Sequence, residues 1–159
     1  MSNSDKLVHV GINVASGTTY IGVMRGTEPL VDDGADRIRP NAQLDHAARF
    51  EDFRARLGQE LRRLQPRVVG IARTRKYGNW TMANASTRFG LEAVAMIAAE
   101  QEGLECRLIT QEEAAKSVEV PIPRLSEALP KRLGMEQTPH WNDRAVAFLV
   151  AAHLALGSS

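Results

Sequence analysis

The sequence predicts an α/β fold with a mixed central sheet and helices on both faces. Three observations carry that expectation. Two β-rich stretches, Leu7 to Asn13 and Thr18 to Met24, flank the short turn ASG and predict an antiparallel hairpin. Downstream, strand-like and helix-like stretches alternate, which implies parallel pairing through helical crossovers. Length agrees: 159 residues can bury one sizeable core, so residues 1–159 are expected to form a single domain.

After the hairpin, a third strand is expected within Pro29 to Ile38, a stretch crowded with turn residues. From His46 to Leu64 the apolar residues Phe50, Phe53, Leu57, Leu61 and Leu64 recur at three- and four-residue steps, the pattern of an amphipathic helix that Pro66 ends. RVVGIA follows as a short buried strand. The polar segment RTRKYGNWTMANAST then leads to a second helix across Arg88 to Glu102, closed by Gly103. LECRLI reads as a further strand, and Thr110 with Glu113 forms a capping box that opens the helix QEEAAKSV. The proline-bearing EVPIPRLSEALPKRLGMEQTP reads as irregular. HWNDRAVAFLVAAHLAL is an almost wholly apolar closing helix, buried on most sides. Functional side chains in such an architecture gather at the carboxyl ends of the central strands, here Asn13 and the run from Ala72 to Arg75.

Hydrophobic content of 43% with 25% charged residues excludes disordered and fibrous classes. The net charge of +1 means that attraction to nucleic acid must come from local clusters. A single cysteine, Cys106, excludes an internal disulfide and a cysteine-rich zinc site, and its apolar neighbours make it a buried structural thiol. The opening MSNSDKL lacks an apolar signal core and no apolar run approaches the roughly 20 residues of a membrane span, so a cytoplasmic protein is expected.

One local cluster stands out. Arg73, Arg75, Lys76 and Arg88 enclose Tyr77 and Trp80, and no acidic residue occurs between Glu60 and Glu92. Cations neutralise phosphates, and exposed rings stack on unpaired bases at about 1–3 kcal/mol each. The competing reading is a solvated loop whose Trp80 folds back onto the core. A second basic set, Lys116, Arg124, Lys131 and Arg132, is interleaved with Glu119 and Glu127 and reads as a mixed solvated surface. His9 is expected to be a satisfied sheet histidine, His153 structural, Trp141 a core anchor, and Asp32, Asp33 and Asp36 an acidic turn. Ser16, Gly17 and Thr18 could cradle a phosphate as in the sugar-kinase and actin-like fold, but that fold needs a second phosphate loop and a longer chain.

Three stretches resemble one family. VGINVASGTTYIGVM resembles the opening strand pair of the ribonuclease H-like superfamily, in particular the RuvC Holliday-junction resolvases. STRFGLEAVAMIAAEQEGLECRLITQEEAAKSV is similar to that family's helix, strand and helix, and HWNDRAVAFLVAAHLAL to its last helix. The resemblance covers most of the chain in order and implies a ribonuclease H-like three-layer fold. It also implies two-metal phosphodiester hydrolysis with Mg2+, a homodimer pairing through the helix from Arg88 to Glu102, and branched DNA as partner.

Carried over by position, the metal-ligating and catalytic residues fall on Asn13, on Ala72 to Arg75, and on His140 with Asp143, whose spacing places both on one helical face. Asparagine removes a full negative charge, and the strand RVVGIA brings no carboxylate. Glu92, nearby on the second helix, is read as solvated, with a swing into the centre as the alternative. One carboxylate and one imidazole cannot hold two magnesium ions against their hydration. The expectation is a degenerate nuclease centre on a protein that binds branched or single-stranded DNA. The alternatives are an active metal-dependent resolvase with a divergent site, and a protein-interaction module on the same fold.

Overall fold

The computed structural model describes residues 6–15, 17–31, 36–74 and 81–157. Strands β1 (Val8–Ala15) and β2 (Thr18–Arg25) form the expected hairpin, in register from Val8 opposite Arg25 to Ala15 opposite Thr18. Two short strands, β3 (Glu28–Leu30) and β4 (Arg37–Ile38), both lie antiparallel to β2, so the single third strand read from the sequence is split in two. Helix α1 (His46–Leu64) leads to β5 (Val68–Ala72), parallel to β1; α2 (Met82–Gln101) leads to β6 (Glu105–Ile109), parallel to β5. Helices α3 (Gln111–Val118), α4 (Leu125–Leu133) and α5 (Trp141–Leu156) complete the chain. The sheet order is β3-β2-β1-β5-β6, with β4 also on β2.

Period-two alternation divides the core into two layers. Val10, Ile12 and Val14 of β1, with Ile21 and Val23 of β2 and Val69 and Ile71 of β5, pack against α1 and α2. The opposite face meets α3, α4 and α5 through Met24, Val68, Ala72 and Ile109. Helices therefore cover both faces of the mixed sheet, as the alternating pattern predicts.

The α5 face owes its shape to a row of three glycines. Gly22, Gly11 and Gly70 are direct neighbours across β2, β1 and β5. A Cβ on Gly11 would lie 2.0 Å from the Ala147 carbonyl oxygen, and one on Gly22 would lie 2.6 Å from the Phe148 amide nitrogen. The backbone of α5 therefore rests on the bare sheet, a distance that no side chain permits. Fully buried Ala145, Ala147, Ala151 and Ala152 are small for the same reason.

Local signals account for most boundaries. Asp45 caps α1 by accepting from the Ala48 amide at 2.9 Å, and Gln65, at φ 48°, ends it before Pro66. The capping box is present: Thr110 Oγ1 accepts from the Glu113 amide and Glu113 Oε1 from the Thr110 amide. Helix α2 starts six residues earlier than expected, because Thr81 caps it through the Asn84 amide. The stretch read as irregular contains α4, with Pro130 inside it. Cys106 is half-buried, and burial pushes its thiol up to about 11. Trp141 is buried as expected. His9 is buried too, but among the described residues neither ring nitrogen has a partner, so the expected satisfied histidine is an orphaned one. No described helix is long and apolar enough to cross a membrane.

Candidate functional site

One pleat beyond the glycine row, toward the carboxyl ends of β1 and β5, lies the row that forms the site. Arg37 pairs with Tyr20, and Tyr20 with Asn13. Ala72 continues the β1–β5 register one step past Ile12 and Ile71. A guanidinium, a phenol, a carboxamide and a methyl group thus stand side by side on the face that α5 covers.

The start of α5 closes over this row. Asn13 is buried, and its Nδ2 donates to the Asp143 carbonyl oxygen at 2.9 Å. The Tyr20 hydroxyl hydrogen-bonds the Asp143 carboxylate and Arg37. Burial pushes the phenol above its ordinary value of 10.0, the Asp143 charge adds to the push, and Arg37 opposes it. Arg37 Nη1 lies 2.5 Å from His140 Nε2. A guanidinium can only donate, so in this bond the imidazole nitrogen accepts. His140 also sits beside the Tyr20 ring, at a centroid separation of 6.3 Å.

The expectation that His140 and Asp143 share a helical face is corrected by the backbone. His140 is the residue before α5 and adopts the left-handed conformation, φ 58°, which turns its exposed ring toward Arg37. Asp143 alone lies on the helix, in its first turn.

What fixes the start of α5 is legible in α4. Pro130 has no amide hydrogen, so the Ser126 carbonyl four residues earlier loses its helical partner. That oxygen accepts from Trp141 Nε1 and from Gln137 Nε2, each at 2.8 Å. The proline that made the segment look irregular thus frees the acceptor that anchors the first residue of α5. Buried Arg144 adds a second tie, donating from Nε to the Ile21 carbonyl at 3.2 Å.

Glu92 is corrected as well. It is buried, and its Oε2 accepts from the Thr74 amide at 3.1 Å and from Thr74 Oγ1 at 2.5 Å. The carboxylate pins the backbone where it leaves β5. Arg73, exposed, donates its amide to the Ile109 carbonyl at 2.8 Å. The side chain of Arg88 is half-buried on α2. Arg75, Lys76, Tyr77 and Trp80 lie outside the described residues. In the second basic set Lys116, Arg124, Lys131 and Arg132 are exposed, as a solvated surface requires.

The donor set does not fit a two-magnesium centre. Ala72 contributes no oxygen, Asn13 offers only a neutral carboxamide oxygen while its Nδ2 donates to the Asp143 carbonyl, His140 Nε2 faces a guanidinium, and Asp143 brings one carboxylate, beside the Tyr20 hydroxyl. Among the described residues no three His, Cys, Asp or Glu side chains gather in a metal-binding group. Tyr20, Arg37 and Arg144 were missed in the sequence. Tyr20 alternates like any strand residue, and Arg37 sits in a turn-rich stretch, so only cross-strand register reveals them.

No family model matches the chain, and no curated protein matches it by sequence. Solved structures do. Thermus thermophilus RuvC is 16% identical, with 96% of this chain and 95% of that one covered at a TM-score of 0.77. T. thermophilus RuvC in complex with a Holliday junction substrate is 17% identical, covering 96% and 94% at 0.74. The yeast mitochondrial Holliday junction resolvase Ydc2 is 17% identical, covering 92% and 77% at 0.57. Likeness over nearly the whole length at TM-scores of 0.77 and 0.74 identifies the fold: the chain has the RuvC fold, a ribonuclease H-like three-layer α/β architecture.

Proposed function

We propose that this chain is a RuvC-like protein that binds branched or single-stranded DNA at the carboxyl edge of its sheet and no longer cleaves it. The observation that carries the reading is the Asn13 amide. Where the resemblance puts a metal-holding carboxylate, the side chain instead ties β1 to the first turn of α5. From the same edge leaves the acid-free segment with Arg73, Arg75, Lys76, Tyr77 and Trp80, followed by Arg88. In this reading the cations take phosphates and the rings stack on bases. Asn13, His140 and Asp143 are the remnants of the catalytic and metal positions.

The chain acts as a single domain in the cytoplasm and as a homodimer. Support for the dimer comes from α2, whose outer side leaves Met82, Phe89 and Ile97 exposed along one stripe. Closed twofold pairs suit a symmetric four-way junction. The remaining Asp143 and His140 keep a second reading in view, an active Mg2+-dependent nuclease with a divergent site. Gel shifts and cleavage assays on a four-way junction, with and without Mg2+, separate the readings. Salt-sensitive binding with intact DNA is expected. Cleavage that Asp143→Asn abolishes would move the protein to the nuclease class, and absence of binding at low salt would leave the interaction-module reading.

A further inference from the structure

The mismatch between the donor set and a metal centre has a positive side. The described partners of Arg54, Arg56, Arg62, Arg63 and Arg107 include a carboxylate each. Those of Arg37 are an imidazole and a phenol. Neither carries a negative charge, so they orient the guanidinium without cancelling its charge, and a guanidinium has five donors to share. Tyr20 is buried and its hydroxyl also meets Asp143, and among the described residues Arg37 forms no ion pair with that carboxylate. The result is an oriented cation in the strand-end row that also contains Asn13 and Ala72.

We infer that Arg37, held by His140 and Tyr20, is a phosphate anchor that stands in for a metal ion, so that a nucleic-acid phosphodiester is held at the strand ends without divalent cation. This rests on the nucleic-acid reading and adds the ligand group and the residue that takes it. A planar guanidinium presents paired donors that match two phosphate oxygens, and fixing its rotamer beforehand lowers the entropy lost on binding. His140, whose Nε2 meets Arg37, is itself exposed and so within reach of a bound ligand.

The test is fluorescence anisotropy of a labelled four-way junction in EDTA across a salt series. Wild-type protein is expected to bind without metal. Arg37→Gln should weaken binding about tenfold and lower the slope of log K against log salt by about 0.9, the share of one phosphate contact. Arg37→Lys should keep the slope and lose part of the affinity, because the charge stays and the fork does not. Unchanged affinity and slope in Arg37→Gln would overturn the inference while leaving the nucleic-acid reading standing. Binding only when Mg2+ is added would overturn it too, and no binding under either condition would remove the underlying reading itself. Displacement of the junction by inorganic phosphate beyond that by chloride at equal ionic strength would assign the site to free phosphate. Should the Gln variant not fold, wild-type protein suffices. Of its four histidines, His140 should give the NMR ring signals that move when junction is added in EDTA, and a stationary His140 would overturn the proposal.

Discussion

His9 and Asn13 sit four residues apart on the same face of β1, one on each side of Gly11. Both are almost fully buried, at 3% and 8% exposure. Asn13 spends its amide on the Asp143 carbonyl, whereas His9, flanked by Met24 and Val68, has both ring nitrogens without a partner among the described residues. An unmet buried polar group costs about 1–3 kcal/mol, and a met one returns about 1 kcal/mol. Equal burial on one strand therefore has opposite energetic meanings. At the site end polarity is built into the contact with α5; at the other end it is merely tolerated.

The largest effect should come from breaking the support common to both ends. Gly11→Val would drive two methyl groups into the α5 backbone, where even a Cβ meets the Ala147 oxygen at 2.0 Å. A loss of about 3 kcal/mol or more is expected in urea unfolding, because backbone cannot move aside as a rotamer can. A fall below 1 kcal/mol would mean that α5 does not rest on the glycine row.

Next in size is Asn13→Asp. The carboxylate has no hydrogen for the Asp143 carbonyl, so two acceptors would face each other at a cost of about 2 kcal/mol. Restoring the acid therefore should not restore a metal site. Thermal melts of the variant should shift down and stay unmoved by Mg2+, and a rise of several degrees with Mg2+ would contradict this account.

The smallest effect, and the most pH-dependent, belongs to His9→Leu. Burial lowers the His9 pKa below its ordinary value of 6.5, and the positive charges of Arg67 and Arg107 lower it further. Below pH 6.5 the unfolded chain takes up a proton that the folded chain refuses, so stability falls as pH falls toward the folded value and is complete above 6.5. The leucine variant should gain about 1 kcal/mol at pH 7.5 by removing orphaned polar atoms. Its stability should also decline less between pH 7 and 5 than that of wild type, and parallel pH profiles would show that His9 is not the titrating group.

The elements whose cause is local were legible from the sequence. Pro66 after α1, the Thr110–Glu113 box and Gly103 each act within a few residues, and period-two alternation with the short turn yields the hairpin. What depends on register was not. Gly11, Gly22 and Gly70 are unremarked singly and meaningful only as neighbours, and the same holds for Arg37 and Tyr20 beside Asn13. Pro130 misled because a proline is a helix breaker by local rules, while here the carbonyl it frees is taken by Trp141. Glu92 misled for a related reason: its partner, Thr74, lies on the segment leaving a strand, beyond the reach of helical periodicity.

The Asn13–Asp143 bond spans 130 positions, and the Arg37–His140 contact spans 103. Joining such distant parts is entropically costly and slow compared with forming a helix or hairpin. During synthesis β1 and β2 emerge early with their α5 face bare, a strip in which Gly11 and Gly22 lie between the His9–Met24 and Asn13–Tyr20 pairs and which α5 later covers. The oriented guanidinium is consequently a late product of folding. A chain still in the making has no assembled Arg37–His140 contact, and one that has it has already closed its sheet.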